Sequence, residues 1–429
     1  MMLAENKRTE NGGALSRCPG SRFLFYSHDG VGLGHTRRHL AVARALIEMS
    51  PESSVLLATG SEIVSRLAPM QAIDILKLPG LRKVSNEEYA SRRLRIAVSE
   101  IRALRSALLR AAVKAYRPTV VLVDKHPFGV KGEFRAGLED LRAAGGRTVL
   151  GLRDILDEPG HVLEEWSAYR MQERMAESCD LVLIYGDRAV FDPIAEYQFS
   201  DVLAARTCFC GYVVNEKEAE PASESCPPAS SREQGVPPVV LATAGGGEDG
   251  FLLLQTFIHA AAGAPWEGVA VAGPMSPGPE LKTLQRLAAR ANVRLYPFVS
   301  ELSQMFPTVD ALVCMGGYNT LVEAVSTGVP TVCVPRIIPR REQLIRARAF
   351  ERLGLVSVVE PESLDVENLR QAIHQVVGTP RRELLRRVHS ALSFDGARRA
   401  AGHLLTLAWV RQLPPRLRLK NWSTAKKTA

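Results

Sequence analysis

Gly316 and Gly317, the acidic side chain of Glu323 and the series Gly328, Val329, Pro330 fall within one short stretch, Met315 to Pro330. Their order sets a tightly turning backbone, a helix start and one carboxylate side by side. The apolar run Ala311 to Cys314 ahead of them suits a buried strand, and paired glycines let a backbone approach a ligand closely. The spacing predicts a helix that opens near Asn319 or Thr320 and stops at Gly328, before Pro330 and the apolar run Thr331 to Val334. A helix start exposes unpaired N–H groups and partial positive charge, so a phosphate at this turn needs no lysine. Glu323, one turn further in, has the reach to accept two hydrogen bonds from the vicinal hydroxyls of a ribose. Thr320 and Glu323 also have the spacing of a capping box, in which both side chains would only finish the helix.

Three other segments carry polar groups where chemistry is possible. Pro238 to Thr243 reads as a buried strand, Gly245, Gly246 and Gly247 as a loop, and Asp249 to Ile258 as a helix. Amides of such a loop can cradle a diphosphate, although no Gly-Lys-Ser/Thr follows and a plain strand-to-helix turn has the same pattern. Phe23 to Ser27 reads as a first strand, Gly30, Gly32 and Gly34 as a loop, and His35 to Met49 as a helix packing through Leu40, Ala43, Ala45, Leu46 and Ile47. The dinucleotide fingerprint fails, because position 35 is histidine and no acidic residue closes Val55 to Ala58. His35 is the first candidate for a general base, since an imidazole can take a proton near neutral pH; hydrogen bonding to a phosphate is its other reading. His28 and His39 are weaker candidates, His39 reading as helix surface. Arg37 and Arg38 read as solvated charges or as ligands of an acceptor phosphate. Thr119 to Asp124 is an apolar strand ending in Asp124, Lys125 and His126, and open α/β sheets put their ligands at strand carboxyl ends. Asp124 is an alternative base or the partner that orients a histidine, and Pro127 with Gly129 also allows an ordinary turn.

Phe298 to Phe350 resembles the nucleotide-sugar-binding half of GT-B glycosyltransferases, especially family 28, whose best-known bacterial member adds N-acetylglucosamine to the lipid-linked peptidoglycan precursor. The matching features are Gly316 and Gly317, Glu323, Gly328 to Pro330, and Gln343. By that resemblance Glu323 holds the ribose hydroxyls and Gln343 contacts donor sugar or ribose. Gly317, Asn319 and Thr320 then lie near the diphosphate and sugar. The loop Arg336 to Arg341 departs from the pattern and leaves the donor sugar unassigned. Gly32 to Arg37 is also similar to the Gly-x-Gly-His stretch of nucleotide-sugar hydrolases of the same fold, and Gly34, Arg37 and His126 are the candidates for contact with an acceptor or phosphate. Retaining GT-B enzymes often carry two glutamates eight positions apart; here Met315 occupies the first position. The resemblance therefore implies an inverting transferase with a nucleoside-diphosphate sugar, most often UDP-linked, as donor. It implies no obligatory cofactor or metal, and the chain has no Asp-x-Asp signature. A hydrolase or epimerase of nucleotide sugars, or a noncatalytic nucleotide-sugar-binding protein, are the other readings.

The elements around these motifs alternate. At 429 residues and 46% hydrophobic the chain can bury two cores. Strands are expected near 23–27, 54–58, 73–78, 119–124, 147–152 and 181–185, then near 238–243, 268–272, 293–296, 311–314 and 331–334, with helical stretches between. That is an α/β protein in two halves, and the resemblance implies the GT-B arrangement of two facing Rossmann-like, doubly wound domains with a cleft between them. The expected division is a disordered lead-in 1–20, an acceptor-side domain 21–214, a Pro/Ser-rich linker 215–237, a nucleotide-sugar domain 238–394, a helix 395–415 returning to the first domain, and a basic tail 416–429. The seven cysteines show no metal spacing, and no apolar run approaches the roughly 18 residues that cross a bilayer. A cytoplasmic protein is expected. Net charge is +8, and a basic amphipathic helix over 87–116, with Leu94, Ile101, Leu104, Leu108 and Leu109 among its arginines, would suit either sheet packing or peripheral contact with the inner membrane surface. No motif accompanies the charge that would suit nucleic acid.

Overall fold

The computed structural model describes residues 20–27, 34–61, 64, 71–85, 88–214 and 236–412. The lead-in up to residue 19, most of the expected linker, the basic tail, and His28, Gly30 and Gly32 lie outside the described residues.

Runs such as Val120 to Asp124, Leu181 to Tyr185 and Val239 to Thr243 are buried at every position. Continuous apolar strands of this kind are what a parallel sheet covered on both faces requires. Two such sheets form. The first joins β1 (Arg22–Ser27), β2 (Ser54–Thr59), β3 (Ile73–Lys77), β6 (Val120–Asp124), β7 (Arg147–Arg153), β8 (Leu181–Tyr185) and β9 (Thr207–Phe209) in the order β3-β2-β1-β6-β7-β8-β9. The second joins β10 (Val239–Thr243), β11 (Glu267–Val271), β12 (Arg294–Tyr296), β13 (Ala311–Cys314), β14 (Thr331–Cys333) and β15 (Ser357–Val358) in the order β12-β11-β10-β13-β14-β15. In both, strand order reverses direction at the first strand, between β1 and β6 and between β10 and β13. Such reversals open a crevice at the carboxyl ends of the strands, and the motif residues sit at those ends.

One expectation is corrected here. β4 (Leu81–Ser85) pairs antiparallel with β5 (Glu88–Ser91), and the helix expected from residue 87 starts at Val98 and runs to Tyr116. Leu94 and Ile96 are exposed on the connecting segment, whereas Ile101, Leu109 and Val113 face the core. Arg105 is not part of a charged surface: it is buried, and its Nε and Nη2 donate to the Glu133 carboxylate at 2.7 and 2.6 Å. Periodicity alone mistook the residues ahead of Val98 for helix because arginine and leucine recur there at similar intervals.

The two halves are joined by packing and by charge. The helix Gly396–Gln412 packs along Gly34–Met49, with Ala400, Leu404 and Ala408 in one apolar cluster with Val42 and Leu46. At the seam Tyr212 contacts the rings of Tyr318, Phe350 and Phe394 at 5.8, 5.7 and 6.1 Å. Asp154, just beyond β7, and Arg346, on the helix Glu342–Arg352, are both fully buried and pair through Nε to Oδ2 at 3.0 Å and Nη2 to Oδ1 at 2.7 Å. Tyr212 also donates to Asp154 Oδ2 at 3.2 Å. Removing one partner of such a pair strands a charge in low dielectric. Arg346→Met is therefore expected to lower the unfolding free energy by about 3–5 kcal/mol in chemical denaturation, and adding Asp154→Leu should recover part of it. Strictly additive losses in the double variant would show that the pair is not coupled.

Candidate active site

The turn after β13 owes its shape to Gly316. Its φ is +76°, and a Cβ there would lie 2.9 Å from Cys333 Sγ, so conformation and space both demand glycine. Gly317 is the N-cap of the helix Tyr318–Ser326. Thr320 is thus in the first turn and Glu323 well inside the helix, so the capping box that was the alternative reading of Thr320 and Glu323 does not form. Glu323 is 8% exposed and lines a cleft together with Gly317, Asn319, Thr320 and Gln343. Gly245, Gly246 and Gly247, in the turn after β10, line the same cleft, with Met275 N–H donating to Gly246 O at 2.9 Å. Gln343 Oε1 accepts the Arg336 backbone N–H at 3.0 Å, and the Arg336 guanidinium bridges Asp249 and Glu342 at 2.8 and 3.0 Å. The loop that departs from the family pattern is thereby fixed against the floor of the site.

The opposite wall comes from the first sheet. Gly34 and His35 start the helix Gly34–Met49 at the end of β1, close enough that a Cβ on Gly34 would lie 3.3 Å from Asn319 Nδ2 across the cleft. Asp124, fully buried at the end of β6, gathers the polar groups of that helix. Its Oδ2 accepts from His35 Nδ1 at 2.9 Å and from Arg38 Nη2 at 2.8 Å, and His39 Nε2 stands 3.8 Å away. Burial pushes the Asp124 carboxyl up, but Arg38, His35 and His39 together outweigh it and hold the group well below the usual carboxylate range. A carboxylate so stabilised is a poor base and a firm anchor. Arg38 Nη2 also lies 3.1 Å from His35 Nδ1 because both groups converge on one oxygen. With the Nδ1 hydrogen directed to Asp124, the basic nitrogen of the neutral ring is Nε2, and His35 lines the cleft. The whole cleft is about 310 Å³.

Several sequence expectations change. His39 is not helix surface: it is fully buried, packs on Phe25 at 5.4 Å between ring centroids, and neither ring nitrogen makes a hydrogen bond. Arg38 is buried against Asp124 and the rings of Tyr185 and Tyr318, which removes it as a solvated charge. Arg37 reaches across to donate to Ser300 O at 2.7 Å. His126 does not line the cleft; it borders a separate cavity of about 40 Å³ with Trp166 and Arg340. The cleft also contains residues the sequence reading missed: Arg153, Arg336, Tyr318 and Met275. Arg153 ends β7, so the strand-end argument that selected Asp124 applies to it equally. Among the described residues, no group of three or more His, Cys, Asp or Glu is placed to hold a metal ion, and no helix is long and apolar enough to cross a membrane.

Residues 259–398 match the glycosyltransferase family 28 C-terminal domain. Over 117 residues, 27% of this chain and 33% of the relative, the sequence is 26% identical to the UDP-N-acetylglucosamine–N-acetylmuramyl-(pentapeptide) pyrophosphoryl-undecaprenol N-acetylglucosamine transferase of Vibrio parahaemolyticus. Over 89 residues, 21% of this chain and 22% of the relative, it is 34% identical to the NDP-glycosyltransferase YjiC of Bacillus licheniformis. The aligned segments thus span a third or less of these curated relatives. The structure is similar to that of a UDP-glucosyltransferase from Polygonum tinctorium, with a TM-score of 0.63 at 14% identity over 91% of this chain and 99% of the other. That likeness establishes the GT-B fold, two Rossmann-like domains facing across a cleft.

The buried His39 gives the site a pH signature. Burial, opposed by Asp124, lowers its pKa from 6.5 to about 4. As pH falls the unfolded chain takes up the proton first, so stability is complete above about 6.5 and is lost on descending toward 4, by roughly 3 kcal/mol in all. His39→Phe is expected to flatten that part of a plot of unfolding free energy against pH, reducing rather than abolishing the slope because burial lowers His126 as well. An unchanged slope would show that His39 is not held neutral.

Proposed function

Since residues 259–398 belong to the glycosyltransferase family 28 C-terminal domain and the chain has the GT-B fold, we propose that the protein is a glycosyltransferase that moves a sugar from a nucleoside-diphosphate sugar to an acceptor hydroxyl with inversion. The observation that carries this reading is the placement of the His35 and Asp124 pair across one cleft from a glycine turn, a helix start and Glu323. Glu323 accepts hydrogen bonds from the ribose. The first-turn amides of Tyr318–Ser326 and the Gly245 to Gly247 loop receive the diphosphate, and Gln343 and Asn319 face the sugar. UDP is the favoured carrier, because two of the similar proteins are UDP-sugar transferases by name.

The reaction is a single in-line displacement. His35 Nε2 takes the proton of the acceptor hydroxyl while its oxygen bonds to the anomeric carbon. The bond from that carbon to the diphosphate oxygen breaks, and the diphosphate leaves with the electron pair. Asp124 is not the base: it fixes the imidazole tautomer and stabilises the imidazolium that forms, with Arg38 holding the carboxylate in place. Helix N-termini and backbone amides carry the leaving-group charge, with no obligatory metal. A hydrolase of the same architecture would use water in place of the acceptor, and the transferred sugar in the product separates the two reactions.

His35→Ala is expected to lower turnover by about 10²–10⁴-fold while affinity for the nucleoside diphosphate stays within about twofold. The product anomer, read by proton NMR, should be inverted relative to the donor. Unchanged turnover removes His35 from the mechanism, and retention of configuration overturns the single displacement.

A further inference from the structure

Four arginines line the cleft: Arg37, Arg38, Arg153 and Arg336. Three are committed. Arg37 donates to Ser300 O, Arg38 to Asp124, and Arg336 to Asp249 and Glu342. The Arg153 side chain makes no hydrogen bond or ion pair among the described residues; Glu342, Arg346, Arg38 and Asp154 act on it only through space. An arginine stays charged in a protein, and its planar fork of donors matches an oxyanion. Leaving such a cation partly desolvated beside two others is unfavourable unless a ligand supplies the opposite charge.

Its position says which ligand. Arg153 ends β7, between β6, which ends in Asp124, and β8, in register with Tyr185. It therefore stands on the His35 wall of the cleft. The diphosphate of a donor already has the two glycine turns and the Tyr318–Ser326 helix start on the other wall. We propose that Arg153 is a specificity-determining residue that binds an oxyanion, phosphate or carboxylate, carried by the acceptor. The inference rests on the transferase reading for the word acceptor, but not for the anion subsite itself. It places the acceptor in the class of anionic molecules and gives the cleft two separate anion positions, one on each wall.

The test uses the full chain saturated with uridine diphosphate and titrated calorimetrically with inorganic pyrophosphate and, separately, malonate. At least one anion should bind on top of the nucleotide. Arg153→Gln should weaken that binding tenfold or more with nucleotide affinity within twofold, and Arg153→Lys should restore part of it. Two results overturn the proposal: a loss of nucleotide affinity in Arg153→Gln, which would put the guanidinium on the donor diphosphate, or anion binding absent or equal in wild type and Arg153→Gln. If uridine diphosphate itself fails to bind wild type, that counts against the uridine donor. The anion titrations run without it still read Arg153, and equal binding in wild type and variant still overturns the subsite. Unfolding midpoints of both variants at wild-type values establish that a lost signal is not lost folding.

Discussion

The geometry of the cleft depends on the buried pair of Asp154 and Arg346. Each belongs to a different half of the chain, and neither touches solvent. The same guanidinium reaches Gly316 O at 3.2 Å through Nη1 and lies 5.5 Å from the Tyr318 ring centroid. One side chain thus ties the first sheet to the backbone of the glycine turn on the second. Two charges without water tolerate little change in distance, so the pair acts as a fixed spacer between the walls. Tyr212, packed on the Phe350 and Phe394 rings, donates to the Asp154 carboxylate and so joins the pair to the apolar seam.

Asp124 plays the corresponding part within the first half. It converts three basic residues on one helix into one directed imidazole. His35, Arg38 and His39 are spaced so that they share a helix face, and a single buried oxygen receives or faces all three. Arg38 supplies the permanent charge that keeps the carboxylate ionised, and His39, held neutral, fills the space against Phe25. The first half brings the side chains of His35, Arg38 and Arg153 to the cleft, and the second brings two glycine turns together with Glu323 and Arg336.

Most strands were legible because parallel strands buried on both faces spell unbroken apolar runs, and β13, expected at 311–314, forms at Ala311–Cys314. The glycine turns were legible because Gly316 has a conformation that few other residues adopt. Helix starts were less so. Thr320 and Glu323 carry the letters of a cap, but Gly317 begins the helix earlier, and its first residue, Tyr318, packs on Tyr212, a distant contact that no local pattern reveals. Asp124 was legible as a base or as the partner of a histidine, but that it holds His35, and that Arg38 and His39 converge on the same oxygen, was not, since Asp124 is 89 positions from His35. Arg346 and Asp154 are 192 positions apart, and nothing near either one announces the other.

The proposed transferase reaction requires that the cleft hold a nucleoside diphosphate with its ribose on Glu323. The most direct measurement is the melting temperature of the protein with saturating uridine, guanosine, thymidine, cytidine and adenosine diphosphates, in wild type and Glu323→Ala, because a ligand that binds only the folded state raises it. A selective rise with one base, uridine first, that disappears in the variant is expected. No rise with any diphosphate, or a rise that survives in Glu323→Ala, would contradict it.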